Sequence, residues 1–348
     1  MARGFRVGLY TSPHLVSMCE RITVNGDPIS EDALADWTGR LRPDIERLDA
    51  SFFEATTAIA FADLAARGVD VAVIEVGLGG RLDATNVITP LVSVVTKIAL
   101  EHTDYLGPTL EGIAREKAGI AKPGVAFVTG EQDPMIRQVL IAAAQERGAR
   151  PIVPVDTRRP PPAGARLGLL GPHQWQNAWV ALAALNTLPG PFGPVGEDIP
   201  ASFADATVPG RFDVRSGGRW IFDVAHNPDG MEVLVAALHE HHPARPFHAL
   251  VGIRNDKEWR PMLERLLPEV DRLVLTVAPT VPTAQRWVVE DLAGWTTERV
   301  IGQPVVFEPD FSAALDLVQE GAATVLVTGS FHTVGDALAR LPVFAHPS

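Results

Sequence analysis

The sequence predicts an α/β protein with two unequal domains, each built on a mostly parallel sheet. Three observations carry this. Short apolar runs alternate with segments of helical periodicity from the first residues onward. Two loops dense in Pro and Gly, 156–166 and 189–200, interrupt that alternation, and it restarts at about residue 210. A length of 348 residues, 46% of them apolar, supports two packed cores rather than one very large one.

The elements follow in chain order. "FRVGLY" reads as a strand running straight into "TSPHL". "SFFEATTAIAFADLAARG" carries apolar residues at helical spacing, with Gly68 as its stop. "VDVAVIEVGLGG" is a buried-type strand ending in glycines, and "PLVSVVTKIAL" is another. "EGIAREKAGIA" is expected to be helical as far as Lys122-Pro123-Gly124. "VAFVTG" gives a strand, "DPMIRQVLIAAAQERG" a helix, and "HQWQNAWVALAALNTL" a further strong helix. Beyond residue 210, "RWIFDVAHN", "FHALVGI", "RLVLTVA", "PVVFE" and "TVLVTGS" are strands separated by helices. Strands alternating with helices favour parallel pairing.

Composition narrows the function classes. A net charge of −12, from 42 acidic and 30 basic side chains, disfavours non-specific binding to nucleic acid or anionic membrane. Local Arg and Lys residues can still hold small anionic substrates. Cys19 is the single cysteine, so no intrachain disulfide forms and a reducing compartment is expected. Beside Glu20 it reads as an inert thiol rather than a nucleophile. No run approaches the roughly 20 apolar residues of a membrane span, and "MARGFRVGLY" is too quickly polar for a signal peptide. The expectation is a soluble cytoplasmic protein.

Ligands of parallel α/β sheets sit at the carboxyl ends of the strands, so polar residues at strand exits are the candidates for chemistry. Glu75 ends an apolar strand, where a carboxylate is costly unless paired or metal-bound. It reads equally as a Mg²⁺ ligand or as the ion-pair partner of Arg81. His102, again just past a strand, can complete a cation site with Glu75 and the Ser12 hydroxyl, phosphate oxygens supplying the rest. Lys117, among Arg115, Glu116 and Lys122, would by itself be a solvated helix face. In the second half, Asp223 ends a strand beside His226, and Asn227-Pro228 turns into a helix. Arg211 of "VPGRF" lies near the domain junction, and Gly329-Ser330 opens a helix whose N–H groups suit an anion.

The order of these stretches resembles the folylpolyglutamate synthase/dihydrofolate synthase branch of the Mur ligase superfamily. The matching stretches are "TSPHLVSMCERITVNGDPIS", "FFEATTAIAF", "VDVAVIEVGLGGRLDATNVI", "EHTDYLG", "REKAGIAKPG", "HQWQNAWVAL", "VPGRF", "DVAHNPDG" and "LVTGSFHTVGDA". The resemblance implies a Mur-ligase-like ATPase domain over 1–208 and a smaller Rossmann-like glutamate-ligase domain over 209–348. It implies an enzyme that joins L-glutamate to a folate acid through an acyl phosphate, with ATP as co-substrate and Mg²⁺ at two sites. Domain closure would then bring the reactants together away from water.

Carried over residue by residue, Ser12, Glu75 and His102 match the Mg²⁺ ligands. Ser51, Phe52, Phe53 and Glu54, with Leu82, Asp83 and Ala84, match the pterin contacts. Lys117 matches a carbamylated lysine that helps hold the second cation. Asn177, Arg211 and Asp223 match the ATP contacts, and His226 and Ser330 lie where the family receives glutamate. The implied partners are small molecules only, with no nucleic acid or membrane, and the implied state is a monomer.

The sequence departs from the pattern in places. Ala99 and Glu101 stand where the family usually carries Gly and Asp, and Phe331-His332 replaces the commoner Leu-Tyr. Family members also carry a glycine-rich phosphate loop, of the form G-T-N-G-K-G-S, upstream of "TSPHL", where only "MARGFRVGLY" precedes it here. A sheet short of its first strand, an incomplete phosphate site and weak Mg-ATP binding are expected, from an artificially shortened N-terminus rather than an evolved variant. Two rival readings stay open: a non-catalytic folate- or glutamate-binding remnant, and another Mur-type ligase acting on cell-wall precursors.

Overall fold

The computed structural model describes residues 1–287, 292, 295 and 305–341. The chain divides into two units, Met1–Arg166 with Trp175–Phe203, and Leu167–Gln174 with Ala204–Ser348.

The first unit holds two sheets. In one, β1 (Val7–Tyr10) pairs in parallel with β4 (Val71–Ile74), Tyr10 opposite Ile74. On its other side β1 pairs antiparallel with β2 (Ile22–Val24), which pairs with β3 (Asp27–Pro28), giving the order β3-β2-β1-β4. This hairpin adds an antiparallel side to a unit whose other strand pairs are parallel, as expected. Its turn is Asn25-Gly26, with φ of 54° and 91°. Asn-Gly is the residue pair that a two-residue hairpin turn with left-handed backbone favours, and Asn25 Oδ1 also accepts the Val7 N–H at 2.8 Å. The other sheet is wholly parallel, ordered β5 (Val92–Val95), β6 (Ala126–Thr129), β7 (Ile152–Pro154).

Helices pack where the apolar spacing directs them. After α1 (Glu31–Leu48), α2 (Phe52–Ala66) covers the first sheet, and the fully buried Tyr10 hydroxyl meets Thr56 and Thr57 at 3.1 and 3.2 Å. The short α3 (Thr103–Leu106) leads to α4 (Leu110–Lys117), which with α5 (Pro134–Glu146) buries Ile113 and Leu140 against Phe127 of β6. Each such side chain contributes about 1.5–3 kcal/mol on removal from water. Helix α4 stops earlier than the sequence suggests, passing at Ala118–Ile120 into a tighter 3₁₀ turn. At that turn the chain runs close to the glycine loop: a Cβ on Gly119 would lie 2.4 Å from Arg81 Cα. Helix α6 (His173–Thr187) follows the Pro-rich connection.

The described residues of the second unit form one six-stranded sheet, ordered β12 (Val305–Phe307), β11 (Arg272–Leu275), β10 (Phe247–Val251), β13 (Thr324–Thr328), β9 (Trp220–Phe222), β8 (Asp213–Arg215). All pairs are parallel except the edge pair β8–β9. Every residue of β10 and β13 is buried, as expected for strands covered on both faces. Helices α7 (Pro228–His241), α8 (Trp259–Leu266), α9 (Phe311–Gln319) and α10 (Phe331–Arg340) supply the cover, with Met231, Leu234, Met262 and Leu263 in the core. Val251 lies opposite both Leu275 and Thr328, and Phe222 opposite Val327. The exits of β9, β10, β11 and β13 therefore share one edge of the sheet.

Candidate active site

In the first unit, parallel pairing of β1 with β4 brings Ser12 and Glu75 together. Glu75 donates its N–H to Tyr10 O at 2.9 Å, extending the ladder by one residue, and its Oε2 accepts the Ser12 N–H at 2.8 Å. The carboxylate is exposed and so free to meet a ligand from solvent. Arg81 is not its partner: Arg81 Nε lies 3.0 Å from Glu116 Oε1. The cation beside Glu75 is Arg21, buried at 8% exposure, bonded through Nε to His14 Nδ1 at 2.9 Å and lying over the Phe52 ring at 5.5 Å. Burial pushes the Arg21 guanidinium below its ordinary range, while Tyr10 and Glu75 oppose the shift. Sequence reasoning passed over Arg21, and only its contacts place it beside these groups.

The glycine loop after β4 is organised by Asp83. Its Oδ2 accepts the N–H groups of Gly77 and Leu78 at 3.0 and 2.9 Å, and its Oδ1 accepts the Thr85 N–H at 2.9 Å. A Cβ on Gly77 would lie 2.3 Å from the Phe53 ring, so a larger residue there would have to displace that ring. Gly80 likewise approaches the carbonyls of Glu116 and Lys117. Leu82 is 80% exposed at the loop tip, and Ala84 opens a 3₁₀ turn, Ala84–Val87.

Ser51 and Glu54 close on each other at the start of α2. Glu54 Oε2 accepts the Ser51 N–H at 2.8 Å and its hydroxyl at 2.7 Å, and Ser51 Oγ accepts the Glu54 N–H at 3.3 Å. This reciprocal pair is a capping box, whose S-x-x-E spacing is legible in "SFFE". Phe53 stacks on Tyr10 with centroids 6.1 Å apart, whereas Phe52 is 61% exposed.

His102 is exposed, with φ of 52°, immediately before α3. Lys117, half-buried at the end of α4, ion-pairs with Glu101 at 3.0 Å. The last turn of α4 thus clasps two loops, Glu116 holding Arg81 and Lys117 holding Glu101. Asn177 is exposed on α6. Ser12, Glu75 and His102 offer a hydroxyl, a carboxylate and an imidazole. Mg²⁺ is commonly held by one or two carboxylates plus substrate phosphates and water, which this donor set fits. Among the described residues no three His, Cys, Asp or Glu side chains gather as a metal cluster. A cation here would depend on oxygens from its substrate.

In the second unit, Asp223 leaves β9 with both oxygens engaged. Oδ2 accepts the Phe212 N–H at 2.8 Å and Oδ1 the Ala225 N–H at 2.9 Å. Burial raises its pKa to about 6, the two N–H groups and Arg211 opposing the rise. Arg211 lies 5.5 Å from the Phe331 ring centroid, and the His226 ring 5.6 Å from it, so Phe331 collects both. His226 Nδ1 donates to Val224 O at 2.9 Å. Ser330 is buried at 4% exposure, its hydroxyl donating to Gly252 O at 2.9 Å and accepting the Thr333 N–H at 3.1 Å. Its side chain caps α10.

Residues 210–331 match the glutamate ligase domain of Mur ligases. The chain is 35% identical to the Escherichia coli dihydrofolate synthase/folylpolyglutamate synthase over 364 residues, covering 97% of this chain and 81% of that protein. It belongs to the folylpolyglutamate synthase/dihydrofolate synthase family. A Mycobacterium tuberculosis relative is 35% identical, over 78% of this chain and 64% of its own length, so the chain spans less than two thirds of that enzyme.

Solved family members share the fold. The M. tuberculosis folylpolyglutamate synthase complexed with ADP and AMPPCP gives a TM-score of 0.84 at 32% identity, over 99% of this chain and 86% of that one. The Escherichia coli FolC protein in complex with DHPP and ADP gives 0.83 at 33%, over 97% and 82%. A Yersinia pestis family member complexed with AMPPNP and Mn ion gives 0.81 at 31%, over 97% and 82%. Family members thus carry adenine nucleotides, and one of them a divalent ion. Among the described residues, no helix is long and apolar enough to cross a membrane.

Proposed function

We infer that this chain is an ATP-dependent ligase that joins L-glutamate to dihydropteroate, to reduced folyl-polyglutamate, or to both. The likeness to the Escherichia coli enzyme along 97% of the chain carries this reading. A carboxylate acylates poorly because its leaving group would be oxide. Transfer of the ATP γ-phosphoryl converts it to an acyl phosphate, and the glutamate amine then attacks the acyl carbon and displaces phosphate. Ser12, Glu75 and His102 would hold Mg²⁺, which offsets the charge that develops on the transferred group.

The residues of this chain divide the remaining work. Phe52 and Leu82 offer exposed apolar surface to the pterin. Ser51, Glu54 and Asp83 set the shape of that surface, with Phe53 packed beneath and Ala84 beginning the following turn. Asn177 and Arg211 suit the nucleotide, and Asp223 a ribose hydroxyl. His226 faces the incoming glutamate, and Ser330 contributes by fixing the first turn of α10.

Lys117 is the pivot of a second cation site. A carbamylated Lys117 would be an anion beside Glu101, and two carboxylates at that spacing require a cation between them. In the unmodified state the ammonium itself is that cation. We further assign the chain to the cytoplasm as a monomer acting on small molecules, consistent with its buried lone cysteine and acidic balance. Glutamate-dependent ADP release, measured with dihydropteroate and separately with reduced folates, tests the reading. No turnover with any pterin would end the folate assignment.

A further inference from the structure

The exits of β11 and β13 hold a hydrogen-bonded chain that the assignments above leave unused. Thr280 Oγ1 donates to Asp336 Oδ2 at 3.0 Å, and the Thr280 N–H reaches the same oxygen at 3.0 Å. His332 Nδ1 lies 2.9 Å from Thr280 Oγ1. A hydroxyl has one proton, and here it points at the carboxylate. Thr280 must therefore accept from His332, which fixes the Nδ1–H tautomer and puts the lone pair on Nε2. Asp336 is buried at 6% exposure, with Arg340 3.4 Å from its other oxygen, whereas His332 is only half-buried.

We propose that His332 is the base that takes the proton from the incoming ammonium, through Nε2. This rests on the ligase reading above. An amino acid arrives protonated and cannot attack an acyl carbon until it loses a proton. In the proposed step an N–H bond breaks and its proton passes to Nε2. The freed lone pair then forms the C–N bond, and the C–O bond electrons leave with phosphate. As His332 becomes positive, its Nδ1–H bond to Thr280 strengthens and Asp336 stabilises the charge across the hydroxyl, the logic of a carboxylate-supported imidazole.

The surroundings suit a base. Burial and Arg254 hold the His332 imidazole below its ordinary pKa, with Asp336 opposing, so the ring is neutral before it accepts. Arg254 is itself held by both Asp256 oxygens at 2.9 and 2.7 Å. Position agrees as well. His332 lies two residues beyond Ser330, at the edge shared with His226.

Hydroxylamine separates the base from the rest of the site, because it is already unprotonated at neutral pH. Hydroxamate formation with ATP and the pterin acid is compared with glutamate ligation in the full-length enzyme. His332→Gln is expected to lower kcat/KM for glutamate by about 10²-fold at neutral pH. That loss should shrink as pH rises and solution supplies the free amine, while hydroxamate formation stays unchanged. Thr280→Val, which removes the relay from an exposed position, should show the same pattern with about a tenfold loss. Equal losses with both nucleophiles, no loss with glutamate, or the hydroxylamine-insensitive pattern in His226→Gln instead would overturn the proposal. Failure of the unsubstituted enzyme to form hydroxamate would sink the ligase reading itself.

Discussion

The carboxylate of Asp223 accepts the backbone N–H of Phe212 at 2.8 Å, so the exit of β9 locks the turn that presents Arg211. The lock is charged and buried, and its titration should be visible. The folded pKa is raised from 3.8 to about 6. The folded state therefore binds the proton more tightly than the unfolded chain. This contribution to stability is fully present below the unfolded pKa and is lost as pH rises through about 6. Urea unfolding of the parent and Asp223→Asn is the measurement. The variant should gain relative to the parent as pH rises across that window, and a constant difference would contradict the assigned shift.

The residues matched to the pterin should fall into two behaviours. Ser51 and Asp83 spend their side chains on internal hydrogen bonds. Ser51→Ala should cost about 1 kcal/mol in stability, the usual loss of a helix cap, and Asp83→Ala should loosen the glycine loop. Phe52 and Leu82 are exposed, so Phe52→Ala and Leu82→Ala should raise the pterin KM with the urea midpoint unchanged. The reverse pattern would reassign the roles.

Gly119→Ala tests how closely the loop must sit against α4. Its Cβ would stand 2.4 Å from Arg81 Cα, a backbone atom that cannot swing aside. Overpacking of this kind costs about 1–3 kcal/mol, and kcat should fall with it, because Lys117 and the glycine loop would shift together. Gly124→Ala has open space around it, yet its φ of 72° is left-handed. It should destabilise mildly and leave kcat alone.

The cation ligands make the sharpest kinetic prediction. Glu75→Ala and Lys117→Ala should each lower turnover by at least about 10²-fold, as removal of one transition-state charge group commonly does. Circular dichroism and the thermal midpoint should barely change, since Glu75 is exposed and Lys117 half-buried. Glu75→Ala should also weaken Mn²⁺ binding measured with nucleotide present. Unchanged turnover in either variant would remove that residue from the mechanism.

Much of this was legible in the sequence because local periodicity and strand exits leave local signals. The strand–helix order, the restart near residue 210 and the caps "SFFE" and "HNP" all follow from neighbours in the chain. The Asn25-Gly26 hairpin was legible too, though the parallel reading passed over it. The close approach of Gly119 to Arg81 was not, because it joins residues far apart in the chain. Arg21 gave no signal either, being one basic residue beside a polar turn.

Side-chain periodicity and turn chemistry by themselves determined the α/β order, the two cores and which residues stand at strand ends. Tertiary structure alone decided that Arg81 pairs with Glu116 rather than Glu75, that the Ser330 hydroxyl donates to Gly252, and that His332 reaches Asp336 through Thr280. Those choices join residues tens of positions apart. A hydrogen bond depends on where the sheet register delivers two groups, and that register is fixed only once the strands have paired.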